Sequence, residues 1–313
     1  MINLEELHRE FINEQRFAAR LSEVTLRGYE QSLALLQEVM PGLSASDLTP
    51  KTMTEFFRRL ETRHRIVGRG IKKVGVKKST IATYRSKLNR FFQWLETKGL
   101  IAKNPFSLLQ YPDVRYEDRE FLERRDIQKI FTALALGVVQ QNSFVQKRNL
   151  AIFATLLYTG VRKGELLSLR ITDLDIQRRE LTVSAETSKS RIRRIVPIST
   201  ELMKLLRDYL TERIRRRLTT PYLFASSARD DRLSADGLKH LIKSVQKTSG
   251  VKFHVHQFRH TFAVNVLNNG SDVAKLKQLL GHRDIRMTAT YLRCLPTSAM
   301  RGDVEALTLD NLV

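Results

Sequence analysis

Residues 256–263 read His256-Gln-Phe-Arg259-His260-Thr-Phe-Ala263, and a second run, Leu279-Leu-Gly-His282, is followed nine residues on by Tyr291. At helical spacing, positions 256, 259, 260 and 263 share a face, so His256 and Arg259 can point into one pocket while Phe258 and Phe262 pack elsewhere. Upstream, Thr159-Gly-Val-Arg162-Lys-Gly-Glu165-Leu166 puts an arginine at a turn after an apolar helix, where Gly160 frees the backbone for the bend. Taken singly these residues are ordinary. A lone histidine is more often a satisfied core residue than a catalyst, and Tyr291 reads equally well as packing. Glu165 reads as a structural partner that caps a helix or orients a basic side chain, and His260 as support for the helix or for Glu165. Metal binding stays open for His256, His260 and His282, although no Asp or Glu stands beside them in a metal-ligand motif.

The chain around this cluster has 313 residues, with 54 Lys+Arg against 33 Asp+Glu, a formal net charge of +21. That excess points to a polyanionic partner, nucleic acid first and an anionic membrane surface second. With 42% hydrophobic residues the chain can bury a core and is no disordered polycation, and its length suggests two domains. The longest apolar stretch, Leu150 to Tyr158 and broken only by Thr155, is nine residues. About 20 are needed to span a bilayer, so no transmembrane helix is expected. The start of the chain lacks the basic and apolar regions of a secretory signal, which implies a cytoplasmic protein. Cys294, the single cysteine, allows neither an internal disulfide nor a cysteine-based zinc module.

Apolar spacing in the first hundred residues predicts four helices, at about 3–19, 22–40, 50–62 and 79–98, with Ser22, Thr49 and Ser79 as N-caps and Gly99 as a stop. Between the last two, residues 63–78 carry seven Lys/Arg and no acid. Gly68, Gly70 and Gly75 suggest a mobile basic loop, while Ile71, Val74 and Val76 would permit a short β-ribbon. Lys72, Lys73, Lys77, Lys78, Arg85, Lys87 and Arg90 on this loop and the fourth helix are candidate phosphate contacts, set against the alternative of a solvated lysine-rich face. Periodicity lapses from Gly99 to Arg119, where Pro105 and Pro112 stiffen the chain. The expected division is therefore a helical DNA-binding domain at 1–103, a linker at 104–119, a catalytic domain at 120–295 and a tail at 296–313. The second domain reads as mainly helical, with a hairpin of strands at 180–184 and 192–197. Its helices are expected at about 143–159, 199–217, 234–249, 256–268, 272–280 and 285–293.

The ordered set Thr-Gly-Val-Arg-Lys-Gly-Glu-Leu, Ser-Lys-Ser-Arg-Ile-Arg-Arg-Ile-Val-Pro, His-Gln-Phe-Arg-His-Thr-Phe-Ala and Leu-Leu-Gly-His, with a tyrosine nine residues on, resembles the tyrosine recombinases, the phage integrases and Xer-type enzymes. The likeness runs motif by motif over about 120–295. Residues 1–115 resemble the family's helical core-binding domain only in pattern, including Asn104-Pro105 near its end. Many members carry a histidine two residues after the tyrosine, where this chain has Arg293.

The resemblance implies a mainly α fold with a small antiparallel sheet in the C-terminal domain, arranged as a two-domain clamp on DNA. It implies a site-specific recombinase that cuts and rejoins duplex DNA through a 3′-phosphotyrosyl intermediate and a Holliday junction, without ATP or cofactor. Tyr291 would be the nucleophile and His256 the acceptor of its proton. Arg162 and Arg259 would clamp the non-bridging oxygens, Lys189 would protonate the leaving 5′-oxygen, and His282 would donate a further hydrogen bond. Arg191 and Arg193 would contact the DNA backbone, as would Arg194, and Arg213, Arg215, Arg216 and Arg217 would add to the attraction. The partners implied are duplex DNA with inverted half-sites and further copies of the chain, a dimer per site and a tetramer on paired sites, with accessory proteins left open. The apolar tail, with Val304, Leu307, Leu309 and Leu312, would lodge on a neighbouring protomer. A type IB topoisomerase and a silent DNA-binding regulator are the competing readings. Helical periodicity from the first residues suggests no separate arm-binding domain.

Overall fold

The computed structural model describes residues 3–68, 70–109, 121–136, 143–188 and 190–295. Lys189, the tail at 296–313 and most of the expected linker lie outside the described residues. The chain divides into two compact units, Met1–Tyr116 and Glu117–Val313.

The first unit holds α1 (Leu4–Phe17), α2 (Glu23–Val39), α3 (Pro50–Thr62) and α4 (Lys78–Thr97). Ser22 and Thr49 cap α2 and α3 as their side chains accept from the amides of Thr25 and Thr52, and Pro50 stands in the first turn of α3, where its missing N–H is harmless. The start of α4 differs from expectation. Lys77 is the last extended residue and its side chain makes no capping bond, while Ser79 is already helical. The basic run at 63–78 resolves into a hairpin, β1 (His64–Val67) against β2 (Ile71–Val74), with Arg65 opposite Lys73. Gly75 closes it: the φ is +64, its amide donates to Arg63 O, and a Cβ there would collide with Glu61 O.

An aromatic core ties these helices together. Phe11 meets Phe91 at 5.3 Å and Phe92 stacks on Phe106 at 5.3 Å. Phe106 lies within the expected linker, yet it is buried with Asn104. The Asn104 side chain donates to Asn89 Oδ1 of α4 and accepts from the Phe106 amide, so Asn104-Pro105 folds the chain back onto α4. The connection expected from 104 onward thus begins inside the first unit's core.

The second unit contains α5 (Arg124–Leu136), α6 (Ser143–Thr159), α7 (Lys163–Ser168), β3 (Leu174–Asp175), β4 (Glu180–Val183), β5 (Arg194–Pro197), α8 (Thr200–Arg215), α9 (Ala235–Ser249), α10 (Val255–Asn268), α11 (Val273–Leu280) and α12 (Arg286–Ala289). Helix α6 is apolar nearly all round because it is central, packed by α5, α8 and α10. The antiparallel sheet runs β3-β4-β5, with one strand more than the expected hairpin. Leu181, Val183 and Val196 face inward, and Arg194, opposite Val183, shares that face. Where one helix was expected over 285–293, α12 stops at Ala289 and a tighter 3-10 turn, Thr290–Cys294, carries Tyr291. Among the described residues no helix is long and apolar enough to cross a membrane.

Candidate active site

Four segments meet around Arg259. The first is the bend after α6. Gly160, at φ +61, turns the chain where a Cβ would meet Phe262 Cδ1 at 2.5 Å, and the backbone then enters α7. Arg162 sits at this N-terminus; its amide donates to Glu165 Oε2 at 2.8 Å and its guanidinium to Oε1 at 3.0 Å. Glu165 is therefore the expected helix cap and orienting partner.

Arg194 reaches the same carboxylate from β5, donating at 3.1 and 2.7 Å, and donates through Nε to Leu279 O. The reading of Arg194 as a DNA backbone contact is corrected, because it is buried and holds α7, β5 and α11 together. Arg213 is corrected likewise: it is 2% exposed and donates to three carbonyls, those of Thr220, Tyr222 and Leu223. Arg215 pairs with Glu212, and Arg216 lies over the Phe144 ring. Burial pushes the Glu165 carboxyl up, but hydrogen bonding and charge from Arg194, then the amide and charge of Arg162, outweigh it and hold the group at about 2.

Arg259, on α10, is 1% exposed. It donates to Gly160 O at 2.7 Å and to Leu280 O at 2.6 Å, which commits two of its five N–H groups and fixes its plane between the α6 bend and the end of α11. Burial, then the charges of Arg162 and Arg194, lower it to about 9, against smaller opposing effects of Glu165 and Tyr291. It remains a cation at neutral pH. Three guanidinium groups so concentrated around one carboxylate leave positive charge in excess, an arrangement suited to an anion with several acceptor oxygens.

Gly281, at φ +63, ends α11 and lets the His282 amide return to Lys277 O. His282 is buried, shares a hydrogen bond with Thr288 Oγ1 at 2.8 Å and lies parallel to the Tyr291 ring at 6.5 Å. Tyr291 is 1% exposed, with its hydroxyl 2.9 Å from His260 Nδ1. The structure thus sets the phenol against His260. His256, the residue expected to receive the phenolic proton, is exposed one helical turn away and meets His260 edge-on at 4.5 Å between centroids.

Lys189 is outside the described residues, but both of its neighbours are buried and anchored. Ser188 donates to Glu165 Oε1 and shares a hydrogen bond with Ser190, whose carbonyl accepts from Arg283 Nε. Arg191 and Arg193 are exposed beside them. In the first unit Lys72, Lys73, Lys77, Lys78 and Arg90 are exposed, with Arg85 and Lys87 half-buried. Ser188 and Arg283 carry no functional reading in the sequence, and His260 is read there as helix support or a metal ligand rather than as the partner of Tyr291. Only His260 left a signal there, its spacing of four from His256. Among the described residues no group of three His, Cys, Asp or Glu side chains is placed to hold a metal.

Two family models match the chain: the phage integrase family over residues 120–297 and the phage integrase N-terminal SAM-like domain over 9–99. A tyrosine recombinase of Thermosipho africanus is 27% identical over 275 residues, covering 87% of this chain and 89% of its own. Tyrosine recombinase XerC of Bacillus licheniformis is 30% identical over 224 residues, covering 69% and 71%. In fold, the Tn1549 transposon integrase in complex with transposon right end DNA matches with a TM-score of 0.74 at 20% identity, covering 96% of this chain and 98% of that one. The XerH recombinase bound to a palindromic difH substrate matches with a TM-score of 0.72 at 17% identity, covering 94% and 82%.

Proposed function

The chain belongs to the phage integrase family of tyrosine recombinases, enzymes of site-specific DNA strand transfer, and we propose that it cuts and rejoins duplex DNA with Tyr291 as nucleophile. The observation that carries this reading is the convergence of Arg162, Arg259, His282 and Tyr291 from separate segments into one largely buried cluster rich in guanidinium. Arg162 and Arg259 hold the non-bridging oxygens of the scissile phosphate, since a planar fork stays charged through the pentacoordinate transition state. His282 adds a donor and braces the nucleophile's ring. Lys189, between two anchored serines, gives a proton to the 5′-oxygen as it leaves. The strand break is stored as a 3′-phosphotyrosyl bond, and the free 5′-hydroxyl of a partner strand attacks it, so no external energy source is needed. Phosphate contacts by Lys72, Lys73, Lys77, Lys78, Arg85, Lys87, Arg90, Arg191 and Arg193 hold the duplex. In this reading each inverted half-site takes one protomer, a synapse takes four, and the enzyme works in the cytoplasm.

The test is a nicked suicide duplex that traps the covalent intermediate. Wild type is expected to form a protein–DNA adduct, and Tyr291→Phe to bind the same DNA without one. An adduct persisting in Tyr291→Phe refutes the nucleophile assignment.

A further inference from the structure

We propose that His260 takes the proton from the Tyr291 hydroxyl during cleavage, with His256 as the outlet that passes it to solvent. The inference rests on Tyr291 being the nucleophile. A phenol, with an ordinary pKa near 10, must lose its proton as it attacks, and a group within hydrogen-bond reach has to receive it. His260 Nδ1 lies 2.9 Å from Tyr291 Oη, and both residues are buried. An imidazole with its proton on Nε2 presents a lone pair at Nδ1.

The other described groups around the phenol are less fit. Arg162 and Arg259 have only donors. The His282 ring lies parallel to the phenol at 6.5 Å with its Nδ1 turned to Thr288, so it braces the ring rather than meeting the hydroxyl. Glu165 is enclosed by Arg162, Arg194 and Ser188. His256, one turn before His260 on α10, stands edge-on to it and is exposed, so the two rings lead from the buried hydroxyl outward.

Among the described residues, the elements packed most closely against α10 bring the following charged and titratable groups. The turn carrying Tyr291 adds Arg293 and Cys294, and α11 adds Lys275, directed to Asp272, and Lys277. On α6, Lys147 and Arg148 are turned to Glu212 and to Ala225 O, which leaves Tyr158 near its end. The step balances. As the Tyr291 Oη–P bond forms and the P–O5′ bond breaks, the phenolic proton moves to His260 Nδ1 and the departing oxygen takes one from Lys189. Religation reverses both transfers.

Single-turnover cleavage of the suicide duplex over about pH 5 to 9 tests this, with an ordinary linkage and with a 5′-bridging sulfur, whose thiolate leaves without a proton donor. Wild type is expected to lose rate on an acid limb as His260 takes up a proton. His260→Asn, with DNA binding and Tm retained, is expected to cleave about 10²–10³-fold more slowly, to lack that limb and to recover in part with added imidazole. His256→Asn should lose about tenfold or less and keep the limb. The sulfur substrate should rescue Lys189→Ala but not His260→Asn. If His260→Asn fails to fold, His260→Gln is held to the same criteria. A His260 variant that keeps the wild-type rate, that keeps the acid limb at reduced rate, or that is rescued by sulfur overturns the proposal. Failure of wild type to form any adduct, or an adduct in Tyr291→Phe, instead overturns the nucleophile assignment beneath it.

Discussion

Arg194 of β5 and Glu165 of α7 face each other in a two-pronged ion pair whose side chains are 3% and 1% exposed. The pair lies behind Arg162 and fixes the α7 N-terminus against the sheet and, through Leu279 O, against α11. Removing one member strands the other charge in the interior, for which about 3–5 kcal/mol is typical. Glu165→Gln should therefore lower the second unit's unfolding free energy by about that amount in a urea titration, whereas Arg191→Gln, at an exposed site, should change it by about 0.5 kcal/mol or less.

The same carboxylate sets an acid limit. Glu165 titrates near 4.5 in the unfolded chain and at about 2 when folded, so its stabilisation is complete above about pH 4.5 and is lost as pH falls toward 2. The shift corresponds to about 3 kcal/mol. Wild type should lose stability across that window, and Glu165→Gln should be flatter there. Parallel pH curves for the two proteins would show that the carboxylate is not linked to folding.

Much of the fold and of the site was legible in the sequence, and the exceptions have a common cause. Ser22, Thr49 and Gly160 act through local chemistry, so their roles could be read from a few neighbours. Arg194 could not be separated from Arg193 by composition. Only the two-residue period of β5, in register with Val183, turns one inward and the other outward, and its partner Glu165 lies 29 residues away. His260 is similar. Its helical face was evident, but the phenol it meets comes from a 3-10 turn 31 residues later, where a continuous helix was expected. The strand Leu174–Asp175 is too short to leave an alternating pattern.

Arg259 is placed by two backbone carbonyls as well as by charge. Lysine keeps the charge but cannot span Gly160 O and Leu280 O while presenting a flat fork to a phosphate. Arg259→Lys should bind DNA nearly as well as wild type and form the covalent adduct about 10²–10³-fold more slowly, the loss typical of removing one donor to a developing oxyanion. A gel shift and single-turnover cleavage measure the two separately. Equal losses in both would mean that Arg259 serves binding alone.

His8 carries a pH effect in the first unit. It is packed against Phe91 and Phe11, and burial lowers its pKa from 6.5 to about 4. The unfolded chain therefore gains a proton below about pH 6.5 that the folded unit refuses until about pH 4. Stability is full above 6.5 and falls by up to about 3 kcal/mol on the way down. Thermal unfolding of wild type and His8→Leu at pH 7.5, 6, 5 and 4 checks this. The variant should fall less steeply than wild type between about pH 6.5 and 5, above the midpoints at which the carboxylates titrate. A slope there equal to the wild type's would exclude His8 as its source.

The hairpin β1–β2 raises the last question, whether its charge serves DNA or only solubility. Lys72 and Lys73 are exposed on β2, and the backbone there is held by its own ladder and by Gly75, so replacing both with Ala removes charge without removing structure. Each lysine that neutralises a phosphate releases bound counterions, contributing about 0.9 to the slope of log K against log salt. The double variant should bind its site more weakly at low salt and show a slope shallower by about 1.8 if both lysines touch phosphate. Its affinity should approach the wild type's as salt rises, because the lost contribution is the screened one. A slope unchanged from wild type across about 50–300 mM salt would make these lysines solvated surface, and would move the DNA contact of this unit to α4.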